Sequence, residues 1–179
     1  DNVGLQIGAP HKKVSTILVT LTITDEVVQR AIADQVDLIV AHHPLIYKPI
    51  HNIRVDQPQG ALLAALLQHE MAVYVAHTNL DQAPEGVNHW LAEEINLKDH
   101  RVLIPGTIEQ AGLGRIGAIA PLALGELAHK LENLWGLPVS VVGDRQRLIT
   151  IVSVVGGSGG DFAAQAKAAG ADCLVTGDV

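Results

Sequence analysis

Short apolar runs rich in branched residues alternate with stretches of helical period through the N-terminal half of this chain, and that alternation leaves few folds open. Val14 to Leu21 reads as a strand. Thr24 then stands where a helix N-cap belongs, with Asp25 and Glu26 in the first turn, where acidic groups suit the helix dipole. Val27, Val28, Ala31 and Ile32 carry the helical period to about Asp34, and Val36 to Ala41 is a second strand. Strand, helix and strand in that order predict parallel strands joined by a right-handed crossover. Leu45 to Gln59, with two prolines and mixed polarity, predicts an excursion over the surface. A strong helix follows over Gln59 to Glu70, then a buried strand over Ala72 to Ala76. Another helix runs from about Glu85 to Glu94, with Pro84 near its start. Asp1 to Pro10, polar and glycine-bearing, is a loop or an edge.

From about Lys98 the texture changes. Gly106, Gly112, Gly114 and Gly117 punctuate a strand-like region ending near Ala120. Leu124 to Leu134 predicts a helix, Val139 to Val142 and Leu148 to Val155 two strands. Gly156 to Gly160 predicts a sharp turn into a helix over Asp161 to Ala169, and Asp172 to Thr176 a last strand. The fold class is α/β: two lobes of β-α-β units with mixed sheets and helices on the sheet faces, divided near Arg101 to Gly106, into 1–104 and 105–179.

Composition narrows the function. With 48% hydrophobic and 17% charged residues, the 179-residue chain has ample material for a core. A net charge of -7 argues against an electrostatic grip on nucleic acid or an anionic membrane. The longest apolar run, Ala61 to Leu67, falls far short of the roughly 18 residues of a membrane helix. The opening Asp1-Asn2-Val3-Gly4 shows no signal-peptide pattern and no initiator methionine, so the start reads as an internal cut or follows an unseen leader, and the end at Val179 reads as abrupt. The single cysteine, Cys173, fits a buried residue in a reducing compartment, hence the cytoplasm.

Two strand ends carry polar cargo. His42 and His43, followed at once by Pro44, close one strand, and His77-Thr78-Asn79-Leu80-Asp81 closes the next. In a parallel sheet both endings lie at the carboxyl edge, where ligand sites of open α/β folds gather, provided the strands are neighbours. Imidazoles and a carboxylate are apt ligands for zinc, iron, manganese or nickel. Adjacent histidines on an extended chain point in different directions, so they serve two ions better than one, with Asp81 bridging. Two ions roughly 3.5–4 Å apart can clamp an attacking water and a leaving oxygen. His77 is then a further ligand or a partner that orients Asp81 or a water. The plainer alternative is that strand-end histidines bond backbone carbonyls and that Asp81 is a cap or turn residue. Gly156 to Gly160 invites a phosphate cradle, yet it lacks the lysine and Ser/Thr of the Walker motif and the spacing of the dinucleotide fingerprint, which favours a structural turn. The remaining histidines (His11, His51, His69, His89, His100, His129) read as surface groups, and Trp90 and Trp135 as core or interface anchors.

Six ordered segments go further: Asp1 to Gly8 (DNVGLQIG), His42 to Leu45 (HHPL), His77 to Asp81 (HTNLD), Gly112 to Gly117 (GLGRIG), Gly156 to Gly159 (GGSG) and Thr176 to Val179 (TGDV). Together they resemble the Nif-three-like family of dinuclear metal-binding proteins, whose bacterial members are often labelled GTP cyclohydrolase 1 type 2 homologues. The resemblance covers essentially the whole chain. It implies two α/β lobes with a two-metal site between them, and a toroidal hexamer with its metal centres facing an internal cavity. It implies that His42 and His43 each bind one of two divalent ions, that Asp81 bridges them, and that His77 lies close by. It implies that a histidine and a glutamate past Val179 complete the site. One departure shows, at Thr22, where members often carry an acidic residue. The implied activity is metal-dependent hydrolysis of a nucleotide-like or phosphorylated small molecule; the alternative is a metal-binding ring or regulatory protein that binds partners without turnover.

Overall fold

The structure is a computed structural model covering residues 1–179, and it divides into two compact units, Asp1–Asn79 and Leu80–Val179. The division falls ahead of the expected one at 104/105. The physical reason is pairing: β5 (Lys98–Pro105), which straddles that expected boundary, is bonded along its length to β6 (Gly112–Ala123), and so belongs to the second sheet.

The first unit is built on one four-stranded sheet. Its strands are β1 (Gly4–Ile7), β2 (Ile17–Thr20), β3 (Leu38–Ala41) and β4 (Ala72–Val75), ordered β1-β4-β3-β2. β2, β3 and β4 are parallel, as the β-α-β pattern requires, and β1 is antiparallel to β4. The crossovers are α1 (Asp25–Ala33) and α2 (Pro58–Gln68). Thr24 caps α1, its hydroxyl accepting from the Val27 N–H at 3.3 Å, with Asp25 and Glu26 in the first turn. α2 begins at a proline, tolerated there because the first helical N–H groups have no intrahelical acceptor. The core is the face where Val28 and Ala31 of α1 and Leu63 and Leu66 of α2 meet Ile39, Ala41, Val73 and Val75. The opposite sheet face leaves Leu5, Val19 and Tyr74 exposed.

The second unit opens with α3 (Thr78–Asp81), a short turn of helix that begins in the last residues of the first unit, and α4 (Val87–Glu94). Its sheet runs β5-β6-β7-β8, with β7 at Leu148–Ser158 and β8 at Cys173–Asp178. β5, β6 and β7 are antiparallel, and only β7 and β8, joined through α6 (Ala163–Ala168), are parallel. The sheet is mixed, as expected, but mostly through antiparallel pairing. Alternation along β7 sends Val152 and Val154 to one face, packed with Ala92, Leu127 and Leu131, and Val155 to the other, packed with Leu103, Ile116 and Ala166. α5 (Leu124–Trp135) ends at Gly136, whose left-handed φ of 67° closes the helix.

Three local expectations change. Val139 to Val142 forms no strand: Val142 is 97% exposed, and the Val139 N–H is taken by the Glu132 carboxylate at 3.1 Å instead of a neighbouring strand. Gly156 and Gly157 continue β7 rather than turn, since Ser158 still pairs with Asp178. The expected helix over Asp161 to Ala169 is split into a 3-10 turn at Gly160–Phe162 and the six-residue α6. No helix is long and apolar enough to cross a membrane.

Candidate metal centre

Sheet register assembles the site. Ala41 at the end of β3 pairs with Val75 at the end of β4 and with Thr20 at the end of β2. The strands are therefore neighbours in phase, and His42, Ala76 and Leu21 leave the sheet side by side. The His42 N–H donates to the Thr20 carbonyl at 3.2 Å, the His43 N–H to Leu21 at 2.8 Å, and the Ala76 N–H to Ala41 at 2.9 Å. These bonds carry the ladder one or two residues past the strands and fix where the histidines begin.

Three imidazoles gather there. One ring nitrogen from each of His42, His43 and His77 lies within 4.8 Å of the other two. The ring centroids are 5.4 Å apart for His42 and His43, 4.8 Å for His42 and His77, and 5.9 Å for His43 and His77. Adjacent histidines were expected to diverge, as on an extended chain. They approach because β3 stops at Ala41 and the chain bends through His42 and His43, which frees the second side chain from strand alternation.

Each ring is oriented from behind through Nδ1. His42 Nδ1 lies 2.8 Å from the Ala76 carbonyl. A carbonyl only accepts, so this nitrogen carries the proton and the lone pair resides on Nε2. His77 Nδ1 is paired with the Asp1 carboxylate, which sets the same tautomer. Asp1 reaches it because β1 is antiparallel, with Gly4 opposite Val75, so the chain preceding β1 lies at the carboxyl edge of β4. His43 Nδ1 lies 2.7 Å from the Thr22 hydroxyl, just past the end of β2. Carboxylate and carbonyl partners behind metal-ligating imidazoles are the usual means of fixing ring and tautomer.

The donor set suits a metal. Three neutral imidazoles form one of the established catalytic zinc sites, which keeps a position open for substrate. Ligands of one zinc ion, about 2.0–2.1 Å from it, lie at most about 4.2 Å apart, so separations up to 4.8 Å close with small ring rotations or serve two ions. His42 and His77 are half-buried and His43 is exposed, which leaves the centre open to solvent. Of the residues singled out from sequence, His42, His43 and His77 come together. Asp81 ends α3, one turn after His77, and its backbone belongs to the second unit.

The residues behind the rings carry little signal in the sequence. Asp1 stands in a segment that reads as loop or edge and opens the first of the six family-like segments, yet nothing in its own composition ties it to a histidine far along the chain. Thr22 was visible only as a departure from a family pattern. The glycines do not form an anion cradle: the Gly156 N–H donates to Asn88 Oδ1 at 2.8 Å, and the Gly159 N–H to Thr176 Oγ1 at 2.8 Å. His11, His51, His69 and His129 are exposed as expected. His89 and His100 are half-buried, with ring centroids 5.2 Å apart, and burial together with His89 and Arg115 lowers the His100 pKa. Trp135 packs on the second-unit core and donates to Glu94 at 2.8 Å, whereas Trp90 is half exposed. Burial pushes the Cys173 thiol up, consistent with a packing role.

Known proteins match along the whole chain. The family model for Duf34/NIF3 (NGG1p interacting factor 3) matches residues 1–179. A Streptococcus pneumoniae protein named GTP cyclohydrolase 1 type 2 homolog is 37% identical over 184 residues, covering 100% of this chain and 69% of that protein. A Staphylococcus aureus hypothetical protein of known crystal structure superposes with a TM-score of 0.90 at 29% identity, over 100% of this chain and 72% of that one. A Bacillus cereus protein related to NIF3 gives a TM-score of 0.90 at 26% identity, over 100% and 76%.

Proposed function

The chain belongs to the Duf34/NIF3 family, and from that premise we propose that it is a metal-dependent hydrolase acting on a nucleotide-like or otherwise phosphorylated small molecule. The observation that supports this most is the imidazole cluster: three ring nitrogens within 4.8 Å, with the Nδ1 of every ring engaged by a partner behind it. A strand-end histidine that merely bonded a carbonyl would not need two more imidazoles beside it.

In this reading the centre holds two divalent ions, of zinc, iron, manganese or nickel. His42 and His43 each hold one, His77 stands with them as a nitrogen donor, and Asp81 is the carboxylate shared between the ions. Ions in such a site supply Lewis acidity toward a phosphoryl or carbonyl oxygen. The residues of this chain do the rest. The Ala76 carbonyl and the Asp1 carboxylate keep two rings in the tautomer that ligates, and the Thr22 hydroxyl holds the third. The exposed edge of His43 leaves room for substrate. The remaining ligands, the ring-shaped hexamer and the cytoplasmic setting implied by the family resemblance are part of the same proposal.

The test is turnover of GTP by the zinc- or manganese-loaded protein beside a His42→Ala, His43→Ala double variant, with metal content measured on both. Turnover that needs both histidines is the expected result. Two bound ions without turnover above the variant would refute the hydrolase and leave the metal-binding ring.

A further inference from the structure

Three polar side chains are buried in this chain, Asn88, Arg115 and Ser153. Two of them converge on one short piece of backbone. Arg115 is 2% exposed and Asn88 is 0% exposed. Arg115 Nη2 donates to the carbonyls of Ala83 at 2.9 Å and Pro84 at 3.0 Å, and Nη1 to those of Gly112 at 3.0 Å and Gly114 at 2.9 Å. Asn88 Nδ2 donates to the Asp81 carbonyl at 2.9 Å. The Gly112 N–H donates to the Gln82 carbonyl at 2.8 Å. Four successive carbonyls, from Asp81 to Pro84, are thus each held by a donor from α4 or β6.

A connection between elements does not ordinarily require this. Burying a guanidinium is unfavourable unless its hydrogen-bonding capacity is met, and a carboxylate is the usual partner. Here backbone carbonyls take that place, and burial alone shifts the Arg115 pKa downward. The Asn88 side chain is anchored in turn, since its Oδ1 accepts from the Gly156 N–H at the end of β7. Pro84 stiffens the far end of the segment by fixing its own φ. The backbone made rigid in this way is the one that carries the Asp81 carboxylate.

We propose that Arg115 and Asn88 are positioning residues for Asp81: they fix the backbone from Asp81 to Pro84 so that the carboxylate is already oriented when a divalent ion arrives. The proposal rests on the reading of Asp81 as a metal ligand. Mobile, the same carboxylate would have to be ordered by the ion itself, at the expense of affinity.

The test uses the whole chain, titrated with Zn²⁺ by calorimetry and assayed for bound zinc. Arg115→Lys keeps the charge and removes the four-way fork; Asn88→Asp keeps the acceptor for Gly156 and removes the donor to Asp81. The first zinc, with three imidazoles to take it, should bind both variants as tightly as the parent; the second, whose arrival makes Asp81 the shared carboxylate, should bind about ten- to a hundredfold more weakly, the usual scale for partners of ligands. Asp81→Asn should weaken the same ion, and adding Arg115→Lys to it should produce little further loss. In metal-free protein, hydrogen exchange at the Ala83 and Gly86 amides should quicken in both variants. A lower melting temperature with an unchanged ratio of the two affinities would make Arg115 and Asn88 structural only, and would overturn the proposal. If Asp81→Asn keeps both ions, the reading of Asp81 fails, and the proposal with it. If Arg115→Lys does not fold, Asn88→Asp decides by the same ratio.

Discussion

Removing the hydroxyl behind His43 should weaken metal binding by a modest, calculable amount. Thr22→Val deletes the Oγ1 that lies 2.7 Å from His43 Nδ1 and leaves a side chain of the same shape. A neutral hydrogen bond contributes about 0.5–1.5 kcal/mol net. Tenfold in affinity is about 1.4 kcal/mol, so the expected loss is roughly two- to twelvefold. Thr22 is exposed, so the fold itself should shift by no more than about 0.5 kcal/mol. Asp1→Ala is the informative comparison, because it removes a carboxylate from His77 Nδ1. Bonds to charged groups contribute about 1.5–3 kcal/mol, which converts to a loss of roughly ten- to 150-fold. Competition calorimetry with Zn²⁺ near neutral pH, with His43→Ala and His77→Ala as the full-loss limits, measures both. The reasoning fails if Thr22→Val binds like the parent while His43→Ala does not, for then the hydroxyl does not hold the ring. It fails equally if Asp1→Ala costs less affinity than Thr22→Val.

Other outcomes follow from the same structure. Asp172 Oδ2 accepts from the Thr150 N–H, the Ile151 N–H and the Thr150 hydroxyl, each at 2.9 Å, and the backbone donors, Ile151 first, lower its pKa below the ordinary carboxylate value. A depressed folded-state pKa contributes stability that is complete above the unfolded pKa, about 3.9, and is lost as pH falls through the folded one. Asp172→Ala should therefore lose about 2 kcal/mol in urea melts at neutral pH, and the gap to the parent should narrow below about pH 4. Leu66→Ala removes a fully buried side chain from the first-unit core and should lower stability by about 2–5 kcal/mol in denaturant melts. Gly112→Ala should yield little folded protein on gel filtration, since its new Cβ would stand 2.2 Å from the Ile104 carbonyl oxygen and 2.5 Å from Val102 Cγ1.

Legibility tracks how local each cause is. α1 was readable because its cap, its acidic first turn and its apolar period all lie within ten or so residues of one another. β3 and β4 were readable as short apolar runs, and the shared edge followed once parallel pairing was assumed. The second sheet was less so. Its antiparallel pairing of β6 with β7 spans a connection containing a whole helix, which a strand–helix–strand pattern would ordinarily assign to parallel strands. Val139 to Val142 has strand composition but no neighbour to pair with, and composition alone does not supply one. Arg115 stands among glycines in a segment whose sequence gives no reason to bury a charge; only the carbonyls of Ala83 and Pro84, distant in sequence, explain it.

The same distinction separates the parts of the candidate metal centre. The histidines announced themselves by residue type, but the geometry that makes them a cluster is a property of sheet register. Thr20 opposite Ala41, Ala41 opposite Val75 and Val75 opposite Gly4 bring Thr22, His42, His77 and Asp1 to one edge. A slip of β4 by one residue along β3 would send Val73 and Val75 from the core face, which they share with Ile39, to the other face, so burial of those side chains holds the register. The apolar core of the first unit is therefore also what fixes the imidazoles relative to one another. A core substitution that loosens register should disperse the cluster before it unfolds the chain, whereas one that only leaves a cavity should not. Val73→Thr tests this, because it keeps the shape but buries a hydroxyl on the core face and so favours the slipped register that turns residue 73 outward: zinc affinity falling more than global stability would show that register, not loop conformation, sets the site.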